Sequence, residues 1–98
     1  MRFVWDEVKR QANFRKHGLD FAEAAGMFDG PMLVQLDTRK AYGEDRWIGI
    51  GAANNRILVV VYVEDDDTDT VRIISLRKAL SHERKGFQEY LTHGLGMG

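Results

Sequence analysis

Apolar positions change their period several times along this chain, and each change marks an element boundary. Phe3-Val4-Trp5 is a short apolar run that predicts a buried strand or anchor. Asp6 follows as N-cap of a helix over about Glu7–His17, with Val8 and Ala12 on its apolar side and Phe14 offset from them. Its last turn is basic (Arg15, Lys16, His17), which suits the helix dipole, and Gly18 is placed as the C′ residue. Asp20 and Glu23 have capping-box spacing for a second helix, with Leu19 positioned to staple onto Ala24. Phe21, Ala24, Ala25 and Phe28 follow the i, i+3, i+4, i+7 template, and Asp29-Gly30-Pro31 ends that helix.

The period then shortens to that of strands. Met32–Leu36 is a short apolar run, and Asp37–Asp45 a polar connection with a turn at Gly43. Arg46–Ala53 is strand-like, but Gly49 and Gly51 lie two apart on one face, which implies a close neighbour or a bend. Asn54-Asn55 suits a two-residue hairpin turn, since Asn tolerates positive φ. Ile57–Glu64 is nearly all β-branched or aromatic and is expected at the centre of the sheet. After an acidic turn at Asp65–Asp69, the stretch Val71–Arg84 begins as a strand and ends as a helix start. Ser81 is then the expected N-cap of a closing helix, roughly His82–His93, with Phe87, Tyr90 and Leu91 on one face. This order predicts an α+β fold: two N-terminal helices, an antiparallel meander of about four strands, and a C-terminal helix. One domain over residues 1–93 and a flexible Gly-rich tail over residues 94–98 are expected.

Composition narrows the chemistry. The chain has 98 residues and no cysteine, which excludes disulfides and cysteine-ligated zinc. It shows neither an apolar run of membrane-spanning length nor a signal-peptide start, so a soluble cytoplasmic protein is expected. The net charge of −1 conceals segregation. Residues 1–17 carry five Lys/Arg against two acids, residues 18–71 four against eleven, and residues 72–98 five against two. If the basic ends meet in space, they form a cationic surface on a nearly neutral molecule.

Several chemistries find no motif. His17, His82 and His93 lack metal-ligand spacing, so neither a metal nor any other cofactor is expected. Ser75 lies mid-strand without a nucleophile elbow, and Gly49-Ile50-Gly51 leads into no phosphate-binding helix. Asp65-Asp66-Asp67 lacks the spacing, Gly and Glu of a calcium loop. Metal-independent cleavage of RNA fits better, because it needs only a base for the 2′-hydroxyl, cations for the phosphorane, and a proton source. Arg46, Arg72 and Arg77 are candidates for the cations, Lys78 for a supplementary charge, and Glu83 or His82 for base or acid. Strand parity, however, puts Arg72, Ile74 and Leu76 on one face and Val71, Ile73, Ser75 and Arg77 on the other. The two arginines line one surface only if a bulge or the strand end reorients Arg77.

Phe3-Val4-Trp5-Asp6, Lys9, Asn13, Lys16-His17-Gly18, Phe21, Ala24-Ala25 and Phe28-Asp29 resemble the amino half of the BrnT toxin family. Glu44-Asp45-Arg46, Gly51, Val59–Tyr62, Arg72–Ala79 and Glu83-Arg84 resemble its carboxy half, with Leu76 standing where Ala is frequent. The resemblance implies the toxin of a bacterial type II toxin–antitoxin system, similar in fold to RelE-like ribonucleases, which cuts RNA and arrests translation. It further implies a BrnA-type antitoxin, a small ribbon-helix-helix protein that would connect the toxin to operator DNA only indirectly. Under this reading Arg46, Arg72, Arg77, Lys78, His17 and Glu83 form the catalytic set, and Lys16 and Arg84 hold RNA phosphates. The alternative is an inactive interaction module whose cationic strand-to-helix corner docks an acidic antitoxin segment.

Overall fold

The computed structural model describes residues 1–94. The expected tail lies outside the described residues apart from Gly94, which closes the last helical turn. The chain runs β1 (Arg2–Trp5), α1 (Glu7–His17), a 3₁₀ helix (Phe21–Asp29), β2 (Met32–Leu36), β3 (Trp47–Ala53), β4 (Arg56–Asp65), β5 (Thr70–Lys78) and α2 (Ser81–Glu89). A π-helical turn, Tyr90–Gly94, extends α2.

Two parts of the expected fold are corrected here. The sheet has five strands in the order β1-β5-β4-β3-β2 and is mixed, not a four-stranded antiparallel meander. β2 to β5 do form the meander, but β1 adds to its far edge in parallel, with Arg2 opposite Thr70 and Trp5 opposite Ile73. A parallel pair has no hairpin to announce it, so an apolar run of three residues carries no mark of its distant partner. The second N-terminal helix is a 3₁₀ helix. Its buried residues are Phe21, Ala24 and Met27, a spacing of three, whereas Ala25 and Phe28 are only half-buried. The Asp20–Glu23 capping box is present and starts it as expected.

Local signals placed most boundaries. Asp6 accepts hydrogen bonds from the backbone N–H of Val8 and Lys9, and Gly18 ends α1 at φ 69°. Asn54 and Asn55 turn the β3–β4 hairpin at φ 52° and 62°. A Cβ on Gly51 would stand 2.8 Å from the Met32 side chain, so the glycine admits β2 close to β3.

Phe21, Ala24 and Met27 cover Leu58, Val60, Tyr62, Val71, Ile73 and Leu76 on one face of the sheet, which makes the main core. Where β1 stops, α1 takes over the edge of β5. The buried Asn13 side chain donates to the carbonyl of Leu76 at 2.9 Å and accepts from its N–H at 3.1 Å, as a neighbouring strand would. On the opposite face Val59 and Val61 are also buried, and α2 packs across toward β3 with Phe87 inside. That second face carries the candidate site.

Candidate functional site

The alternation of β5 is broken once. Ser75 lies opposite Val61 and Ile73 opposite Tyr62, so Ile74 is an extra residue with no partner on β4. Such a bulge reverses parity downstream of it. Arg72 therefore pairs with Val63 and Arg77 with Val59, and these valines alternate on a single face of β4. The condition under which both arginines line one surface is met. Bulges recur beside active sites because they re-aim a side chain in this way.

Each arginine is held by an acid. Arg77 grips Glu83 in a two-pronged pair, Nη1 to Oε1 at 2.8 Å and Nη2 to Oε2 at 2.9 Å. Glu83 Oε1 also accepts the N–H of Leu80 at 2.8 Å, which makes Leu80 the capping position of α2 and puts Ser81 inside the helix rather than at its cap. The Arg77 guanidinium and that N–H together hold the Glu83 carboxyl at about 2, well below the usual range. A carboxylate so stabilised is a weak base, and its two oxygens fix the direction of the Arg77 guanidinium. From the Asp37–Arg46 connection, Glu44 bridges Arg72 and Arg46, its two oxygens taking one guanidinium each. Arg72 and then Arg46 hold its carboxyl below the ordinary value. Arg46 in turn lies over the Tyr42 ring, 4.2 Å from ring centre to guanidinium carbon.

The structure thus brings Arg46, Arg72, Arg77 and Glu83 to one face and leaves the other candidates elsewhere. Lys78 falls opposite Leu58, on the parity of the main core, at the exposed strand end. With Arg84, Asn55 and Arg56 it lines a separate hollow. The Arg84 guanidinium is turned back onto the carbonyl of Ala79 (2.8 Å) and the hydroxyl of Ser81 (3.1 Å). Lys16 and His17 close α1 beside β5, and neither makes a side-chain hydrogen bond among the described residues. His82 sits exposed on the first turn of α2.

Residues 5–83 match a family model described as ribonuclease toxin, BrnT, of type II toxin–antitoxin system. The chain belongs to the BrnT family. No curated protein matches it. As a BrnT toxin it is one half of a type II system and so has an antitoxin partner. The matched span contains every residue of the arginine face, whereas Arg84 falls just beyond it. No helix among the described residues is long and apolar enough to cross a membrane.

The same face of this BrnT chain holds residues that sequence reasoning passed over. The neck of the connection is closed by the Asp37 N–H on the Arg46 carbonyl at 2.7 Å. Inside it the Asp37 side chain, with no exposed surface, accepts Nε and Nη2 of Arg39 (2.8 Å each), the Arg39 N–H (3.1 Å) and the Tyr42 hydroxyl (2.9 Å). Those donors, the Arg39 guanidinium first, hold the Asp37 carboxyl far below its ordinary range. Arg39 lies near enough to Arg77 to oppose its charge. One available signal was Arg39-Lys40, the only adjacent pair of cations in the acidic middle of the chain.

Proposed function

We propose that this BrnT chain is a metal-independent endoribonuclease whose centre is the face bearing Arg46, Arg72 and Arg77. The observation that carries the reading is the Ile74 bulge, which puts Arg72 and Arg77 on one side of the sheet. In the proposed reaction the 2′-oxygen of one nucleotide attacks the adjacent phosphorus and loses its proton. The P–O5′ bond breaks, and the leaving 5′-oxygen takes up a proton. The products are a 2′,3′-cyclic phosphate and a 5′-hydroxyl. Charge on the phosphorane grows during the attack, and fixed guanidinium groups stabilise it most at that point. Arg77 is aimed by Glu83, and Arg72 and Arg46 are joined through Glu44, so little reorganisation is needed when phosphate arrives.

The other expected residues take lesser parts in this reading. Glu83 serves as a positioning residue, since a carboxyl held at about 2 accepts a proton poorly. Lys78 and Arg84 lie across the sheet edge and would meet RNA only away from the cleaved bond. Lys16 and His17 would do the same from the end of α1. The proposed partner is a BrnA-type ribbon-helix-helix antitoxin, and the proposed setting is the cytoplasm, where cutting RNA arrests translation.

The test is incubation of purified chain with total RNA in EDTA, beside Arg77→Ala and Arg46→Ala variants shown to fold by circular dichroism. Cleavage by the wild type, and its loss in both variants, supports the reading. Undiminished cleavage by both variants removes these residues from the centre. Absence of cleavage by the wild type, with translating ribosomes as well as free RNA, overturns the activity and favours a module that only binds its antitoxin.

A further inference from the structure

Between the Asp37–Arg46 connection and the second face of the sheet lies an open hollow of about 420 Å³. Its lining divides by chemistry. Val61 and Ile74 supply an apolar floor with the Ser75 hydroxyl beside it; Arg39, Lys40 and Arg46 set three cations around it with the Tyr42 ring, against one acid, Asp37, whose oxygens are already engaged by Arg39 and Tyr42. We propose that this hollow is a nucleotide subsite, taking the base and phosphate of one residue of the RNA next to the cleaved bond. The inference rests on the ribonuclease reading and adds a specific place for one nucleotide.

Two observations point to a nucleotide rather than a bare anion, and a third supplies a contact for its phosphate. The volume falls within the range of small-ligand pockets, and an inorganic phosphate would leave most of it empty. The Arg46 guanidinium is a flat plane lining the hollow and backed by the Tyr42 ring, and unstacked bases pack against arginine planes of this kind. Arg39 is anchored to the buried Asp37 through Nε and Nη2, which leaves Nη1 unused among the described residues on a side chain that is 67% exposed. The anchoring resembles that of Arg77 by Glu83: one acid fixes the fork while the remaining N–H edge can meet phosphate. Ile74 joins the two sites, because the bulge that aligns the arginines also sets this side chain in the floor.

The test is titration of ¹⁵N-labelled full chain with each nucleoside 5′-monophosphate and with inorganic phosphate, read by backbone chemical shifts. The expected result is saturable shifts at Lys40, Tyr42, Ile74 and Ser75, with at least one nucleotide binding roughly tenfold more tightly than phosphate, the scale of one stacked base. Lys40→Ala, at an exposed position, and Arg39→Ala are each expected to weaken nucleotide binding about fivefold or more in a folded protein. Phosphate binding as tightly as any nucleotide overturns the proposal, and so do shifts confined to other residues or variants that bind like the wild type. Cleavage of RNA without nucleotide binding here sinks the subsite alone. Binding here without any RNA cleavage sinks the catalytic reading and, with it, the place of this hollow beside a cleaved bond.

Discussion

At the scale of single residues, the face depends on acids that aim arginines. Arg77→Lys is the sharpest test, because an ammonium keeps the charge but cannot form the two-pronged pair with Glu83. If orientation matters, Arg77→Lys lowers kcat by about 10²-fold, nearly as far as Arg77→Ala, the scale expected for loss of one preorganised donor. A lysine variant with near wild-type kcat would show that charge alone suffices there. Asn13 offers a stability test well away from the arginines. Its amide both donates to and accepts from Leu76 and also donates to the Leu19 carbonyl at 3.2 Å. In Asn13→Asp a carboxylate would face two carbonyl oxygens inside the protein. Chemical denaturation should show a loss of about 3 kcal/mol, and more than Asn13→Ala loses.

At the scale of elements, what the sequence revealed depended on how local the cause was. Caps and turns were legible because Asp6, Gly18, Asp20 with Glu23, and Asn54-Asn55 act on their own few residues. The parallel partner of β1 was not legible, since nothing in Phe3-Val4-Trp5 names Thr70–Ile73. The 3₁₀ helix was missed because Phe21 and Ala24 belong to both periods, and Met27 rather than Phe28 decided between them. The bulge was half-legible: parity showed that either a bulge or the strand end had to reorient Arg77 for it to meet Arg72, and the β4 register shows a bulge, at Ile74. The Asp37–Arg46 connection looked passive because its order comes from one buried acid, which composition hides.

Two element-level outcomes follow from local geometry. Asn55→Gly should stabilise the hairpin by about 0.5 kcal/mol, since Gly adopts φ 62° with no steric cost whereas Asn only tolerates it, and thermal melting checks it. Gly51→Ala should cost about 2 kcal/mol because its Cβ would meet Met32. If that contact is the cause, the penalty shrinks in a Met32→Ala background, and an unchanged penalty would place it elsewhere.

At the scale of the whole molecule, the pairs that order the arginine face also set how folding responds to pH. Glu83 is held at about 2 by Arg77 and the Leu80 N–H, and Asp37 and Glu44 are held below their ordinary values by arginine partners, as is Glu7 of α1, outside that face, by Arg10. A carboxyl depressed in the folded state binds its proton more readily when unfolded. Its stabilisation is therefore complete above the unfolded value, near 4, and is lost as pH falls toward the folded one. Tyr62 behaves in the opposite sense: burial pushes its hydroxyl up to about 12, so that stabilisation is present below about 10 and lost as pH climbs toward 12. Urea midpoints should be flat from about pH 5 to pH 9, fall on the acid side between about 5 and 2, and fall again above about 10. Arg77→Ala isolates one contribution. Without its partner, Glu83 should titrate closer to an ordinary carboxyl, so the acid limb becomes shallower by an amount worth about 2 kcal/mol across that range. An acid limb of unchanged steepness in Arg77→Ala would mean that the pair contributes nothing to folding. It would then be a device for aiming Arg77 alone, and its removal should still abolish RNA cleavage in a protein as stable as the wild type.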